Sequence, residues 1–145
     1  MSLPGYDYRG DLPEGVHQAT MHEVLARFGG GTQQRRIITA SLVRIFDLAK
    51  ATGKLERFII YGSYVTAKSE PNDVDIFLVM SEEFDVDNCA GETRDVFSHT
   101  QAQLRFGASV FWVNRATSYA HIDDLIAGWQ TKRDKTRRGI VEIIL

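Results

Sequence analysis

An intramolecular disulfide framework is out of reach for this sequence of 145 residues, which holds one cysteine, Cys89. That usage fits a reducing compartment, so a cytoplasmic protein is expected. Proline is scarce as well: there are three, and Pro4 and Pro13 both fall in the first 19 residues. No apolar run approaches the roughly 18 residues that span a bilayer, so no membrane role is expected. The opening residues are polar, with Pro4, Gly5 and Asp7, and do not read as a secretory signal. Neither charge sign dominates. Lys and Arg number 17 against 19 Asp and Glu, a net charge of −2. That balance argues against a protein whose main task is to coat nucleic acid.

Several motifs are missing too. There is no G-x-x-x-x-G-K-[ST] phosphate loop and no G-x-G-x-x-G dinucleotide fingerprint. His17, His22, His99 and His121 lack zinc-ligand spacing, and His22-Glu23 has no second histidine to complete H-E-x-x-H. Gly62-Ser63 is not embedded in G-x-S-x-G, which argues against a serine hydrolase.

What is present reads as alternating helices and strands. Residues 1–19 are expected to form an extended arm, and 20–145 a single domain. Thr20 and Glu23 have capping-box spacing, so a helix is expected to about Phe28. Gly29-Gly30-Gly31 ends it through the left-handed backbone that glycine tolerates. Thr32 caps a second helix with apolar positions at Ile37, Ile38, Leu42, Ile45, Leu48 and Ala49. Strands are expected at Arg57–Tyr61, Val74–Met80 and Ser109–Val113, each rich in β-branched and aromatic residues. Gly91–Leu104 reads as one helix. Ser118 is placed to cap another through Ile122, Leu125, Ile126 and Trp129. Thr131–Gly139 reads as a basic turn, and Ile140–Leu145 as a last strand. The fold class is therefore α/β (α+β), a small mixed sheet flanked by helices.

The chemistry concentrates between residues 58 and 80. An apolar strand runs into Gly62-Ser63. A polar turn follows, and Asp73-Val74-Asp75 opens the next apolar strand. Alternation puts Asp73 and Asp75 on one face, with Cα atoms about 6.5–7 Å apart. Two carboxylates so placed can share one divalent ion. Hard oxygen ligands with phosphate as co-ligand suit Mg²⁺, or Mn²⁺. The plain alternative is that the two aspartates only shape a turn. Gly62 lets a ligand approach the backbone, and Ser63 opens a short helical turn whose amides and hydroxyl face an anion. Lys68 could neutralise a phosphate oxygen. A solvated turn lysine is an equal reading. The basic run Lys132, Arg133, Lys135, Arg137 and Arg138 reads as a solvated turn, or as a contact to a phosphate.

This pattern resembles the nucleotidyltransferase superfamily typified by DNA polymerase beta, in its minimal single-domain branch. Gly62, Ser63, Asp73 and Asp75 match the family's strand, Gly-Ser, spacer and D-x-D arrangement over about residues 56–80. The resemblance implies a nucleotidyltransferase-like fold and an enzyme that moves an NMP from an NTP to a hydroxyl. The NTP, ATP first among candidates, is implied to lie on Gly62, Ser63 and Lys68. Asp73 and Asp75 are implied to hold the metal ions. Some minimal relatives modify a toxin partner, so a protein acceptor in a toxin–antitoxin pair is one expectation and a small-molecule acceptor another. An oligomer is left open.

The family carries a third carboxylate on a neighbouring strand. The corresponding segment here, Ala108–Val113, has no acid, and Ser109 stands in its place. Glu92, Asp95 and Glu142 are the remaining substitutes. A second expectation follows: a nucleotide- or partner-binding module that lost the third ligand and turns over poorly.

Overall fold

The computed structural model describes residues 3–117 and 121–145. Five strands form one sheet: β1 (Val16–Ala19), β2 (Leu55–Tyr61), β3 (Val74–Met80), β4 (Ala108–Asn114) and β5 (Ile140–Ile143). Five helices accompany them: α1 (Met21–Phe28), α2 (Gln33–Ala51), α3 (Gly91–Val96), α4 (His99–Phe106) and α5 (Ile122–Gly128). The sheet order is β1-β5-β2-β3-β4. Outer pairs β1·β5 and β3·β4 are parallel, while β5·β2 and β2·β3 are antiparallel. The mixed sheet with flanking helices is the α/β class expected.

Strand alternation sorts the central residues onto two faces. Phe58, Ile60, Ile76, Leu78 and Met80 join one core with Ile38, Leu42, Ile45 and Ala49 of α2. Ile59, Tyr61, Phe77, Val79 and Ile140 form a smaller one under Ile126 of α5 and Trp129. Trp129 closes that second face by stacking on Tyr61 at 4.3 Å between ring centroids. Asp75, in phase with Phe77 and Val79, lies on this thinner face. No helix among the described residues is long and apolar enough to cross a membrane.

Three expectations need correction, and the arm at 1–19 gains a partner: Val16–Ala19 is an edge strand in register with Ile140–Ile143. Its polar, proline-flanked sequence hides a strand because its face is set by a partner far along the chain. Gly91–Leu104 is two helices, since the Ser98 side chain accepts from the Gln101 amide and starts α4 afresh. Gly29 keeps right-handed backbone, and Gly31, at φ 99°, makes the reversal. Ile37, counted as part of the apolar stripe, is exposed, while Arg35 is buried in that stripe. The Ser118 cap lies outside the described residues, and α5 follows His121, which gives no side-chain cap. The capping box of Thr20 and Glu23 and the cap at Thr32 are present as expected.

Arg35 sits one turn before Ile38 and points the same way. Its guanidinium donates to the carbonyls of Phe28 (3.1 Å), Tyr64 (2.9 Å), Thr66 (2.7 Å) and Lys68 (2.6 and 3.0 Å). Its charge also lies 5.3 Å from the centre of the Tyr64 ring. The loop after β2 is thereby tied to α2. Arg35→Met should cost about 2–4 kcal/mol in urea unfolding, because several buried carbonyls lose their donor together. Arg35→Lys should recover less than half of it, since an ammonium cannot match a planar five-donor fork.

Candidate functional site

The site forms where β2 and β3 end together. Gly62 leaves β2 with φ 77° and ψ −164°, a left-handed conformation that L side chains resist. A Cβ built there would overlap Oδ2 of Asp75. Glycine is therefore demanded twice, by the backbone and by the carboxylate beside it. Ser63–Val65 then makes the short 3₁₀ turn that the Gly-Ser signal suggests.

The loop beyond is already well bonded. The Thr66 amide donates to Ser63 O, the Ala67 amide to Gly10 O, and the Lys68 amide to Thr66 Oγ1. These three amides are not open to an anion. Anion contact on this side falls to Ser63 and to the exposed Lys68 side chain.

Asp73 and Asp75 are half-buried at the mouth of β3. Neither carboxylate is hydrogen-bonded or ion-paired to a described residue. Burial pushes the Asp73 carboxyl above its ordinary range. Burial first, and then the charge of Asp73, push Asp75 up to about 6, against the pull of Arg138 and Arg133. Burial and the two aspartates also push the Tyr61 phenol up. Two hard oxygen donors, close together, partly dehydrated and without a cation in contact, are a donor set that fits Mg²⁺ or Mn²⁺.

Asp75 pairs with Ser109 across the parallel β3·β4 ladder. The neighbouring strand thus presents a hydroxyl beside the aspartates. The three acids considered as substitutes are engaged elsewhere: Glu92 with Arg44, Asp95 with Arg105, and Glu142 with Arg57 and through it Asp123. Among the described residues no group of three His, Cys, Asp or Glu side chains could hold a metal ion.

All of this opens into a cavity of about 980 Å³ that Ser63, Lys68, Asp73, Asp75 and Ser109 share. Its other walls were not legible beforehand. Arg9, Gly10 and Asp11 of the arm line it, as do Lys132, Arg133, Asp134 and Arg138 of the basic turn. Arg137 instead pairs with Glu14 at 3.0 Å. Lys132 and Arg138 are thus not simply solvated, being turned onto Asp11, whereas Arg133 stays exposed at the cavity edge. One sequence signal existed, an acid (Asp11) in the arm and a cluster of cations in the turn, but nothing local joins them. A smaller cavity of about 310 Å³, lined by Phe84, Asn88 and Cys89 among others, holds none of Ser63, Lys68, Asp73, Asp75 and Ser109.

The fold and cavity define an α/β protein with a paired-carboxylate site. Residues 4–144 match a family of unknown function (DUF6932), and the chain belongs to that family. No curated protein and no solved structure matches the chain.

The raised Asp75 carboxyl fixes the sign of a pH effect. Folding binds this proton more tightly than the unfolded chain does. The metal-free protein therefore loses stability as pH rises from about 4, the ordinary carboxyl value, to about 6. The full penalty stands above that. Asp75→Asn should raise metal-free stability near neutral pH by about 1–2 kcal/mol after allowing for solvent screening. It should make no difference at pH below about 4, and it should abolish stabilisation by Mg²⁺. Urea melts across pH, with and without Mg²⁺, measure all three.

Proposed function

We propose that this protein is a small Mg²⁺-dependent nucleotidyltransferase, which moves an NMP from an NTP to a hydroxyl on a protein or small molecule. One observation carries the reading. Two half-buried carboxylates without a cation in contact stand beside a glycine-serine turn, in a cavity that five basic side chains help to line. The order of strand, Gly62-Ser63, and strand opening with Asp73 and Asp75 is the pattern of the polymerase beta-like nucleotidyltransferases. The parallel neighbour β4 supports that fold assignment.

Asp73 and Asp75 are the residues that would hold the ion, which when bound draws charge from phosphate oxygens. Gly62 leaves room for a phosphate close to the chain, Ser63 donates its hydroxyl to it, and Lys68 offsets its charge. ATP is the first candidate. The acceptor oxygen forms a bond to the α-phosphorus. The bond from that phosphorus to the bridging oxygen breaks, and pyrophosphate leaves with the electron pair. The acceptor proton passes to solvent, because Ser109 stands where an acid would receive it. The protein contributes position and charge.

Ser109 favours a second reading, a nucleotide- or partner-binding module without turnover. One experiment separates the two. Pure protein is incubated with labelled NTPs, Mg²⁺ and lysate or a candidate toxin partner. The first reading expects label on an acceptor, lost at least a hundredfold in Asp73→Ala and Asp75→Ala. Label unchanged in those variants would sink it. Calorimetric NTP binding without label transfer, with transfer appearing in Ser109→Asp, would establish the second.

A further inference from the structure

The cavity has a cationic wall that the paired aspartates do not explain. It is the hairpin closed by the Thr131–Arg137 bridge. This hairpin is rigidly built. The Lys132 amide donates to Thr136 O (2.8 Å), the Lys135 amide to Lys132 O (3.0 Å), and the Arg138 amide to Gln130 O (2.9 Å). Asp134 accepts from the Thr136 amide at 2.9 Å and from its hydroxyl at 2.6 Å. At the base, Lys132 Nζ donates to the buried Asp11 at 3.0 Å, and Arg138 lies 3.6 Å from the same carboxylate. Arg133 differs from these. It is exposed, lines the cavity, and makes no hydrogen bond or ion pair with a described residue. Its charge and that of Arg138 reach Asp75.

Strand order decides which side of the aspartates this wall is on. Arg138 precedes β5, and β5 neighbours β2, whose end carries Gly62-Ser63. Ser109 belongs to β4, beyond β3 on the opposite side. The hairpin and the Gly-Ser turn therefore flank one side of Asp75, and the hydroxyl of Ser109 flanks the other. A divalent ion on Asp73 and Asp75 would leave Asp11 and Asp134 as the only acids against five cations in the lining. Asp11 already serves Lys132 and Arg138. One phosphate group has too little charge to offset what remains.

We infer that the Thr131–Arg138 hairpin is a polyphosphate-tail subsite, with Arg133 as the side chain that grips the terminal phosphates of the nucleotide. The inference rests on the transferase reading and adds direction to it. The β- and γ-phosphates point toward Arg133 and Lys68, and the acceptor enters from the β4 side. A guanidinium suits the task, because its planar fork matches two phosphate oxygens at once.

Inorganic tripolyphosphate and AMP are the probes, each titrated calorimetrically with Mg²⁺ present. Arg133→Ala should weaken tripolyphosphate at least about tenfold and leave AMP unchanged. Arg133→Lys should recover part of the loss, and Lys50→Ala, on the far surface of α2, should show none. Arg133 holds no contact that the fold needs, so unchanged melting of the variant is expected. Equal tripolyphosphate affinity in Arg133→Ala and wild type would overturn the inference, as would equal weakening of AMP or no tripolyphosphate binding by wild type. The two readings fail separately. Label transfer with tripolyphosphate affinity insensitive to Arg133 removes the subsite and keeps the transferase. Tripolyphosphate affinity that depends on Arg133, without label transfer, does the reverse.

Discussion

The guanidinium of Arg35 is the interaction on which the rest of the site depends. Four backbone carbonyls, three of them in the loop after β2, end on one side chain of α2. A buried charge is a poor source of net stability, because its desolvation offsets much of what its bonds return. What it supplies here is position. With the loop carbonyls drawn toward α2, the chain has one path from Gly62 to Lys68. The left-handed turn at Gly62 and the slot for the Asp75 carboxylate follow from that path.

The site opposes the fold around it. β3 is buried on both faces from Ile76 onward, yet two acids without a partner among the described residues stand at its start. Burial holds both carboxyls above the ordinary range, and the charge of Asp73 adds to it at Asp75. Across the cavity, Lys132 and Arg138 are neutralised locally by Asp11, and no other cation of the lining is ion-paired among the described residues. Separated charges of both signs, kept apart in one cavity, cost stability in the empty protein. Such cost collects where a ligand of mixed charge, an anion carrying a metal, would remove it.

The local parts were legible in the sequence and the assembled walls were not. Capping residues, periodicity and β-branched runs located α1, α2, β2, β3 and β4 to within a few residues, since each signal acts within one turn or one strand. Gly62, Ser63, Asp73 and Asp75 could be read because a single turn brings them together. Ser109 could be placed because the parallel strand after a helix falls beside β3. By contrast, β1 has four residues and owes its existence to β5. Arg35 carries no sequence signal of its role, because its partners are carbonyls, which leave no trace in residue identity. Asp11 and the hairpin cations meet only after the sheet has formed.

The pairing of β1 with β5 also sets a schedule for biosynthesis. Val16 lies beside Ile140, and Gly139 donates its amide to Leu12 O. A nascent chain that has grown through β4 holds Gly62, Asp75 and Ser109, but one wall of the cavity has yet to be made. Contacts of such long sequence separation form late and slowly. The aspartates therefore spend the interval without the cations that face them. The cavity therefore gains its full charge pattern only once residues 131–143 have been made and β5 has paired with β1 and β2.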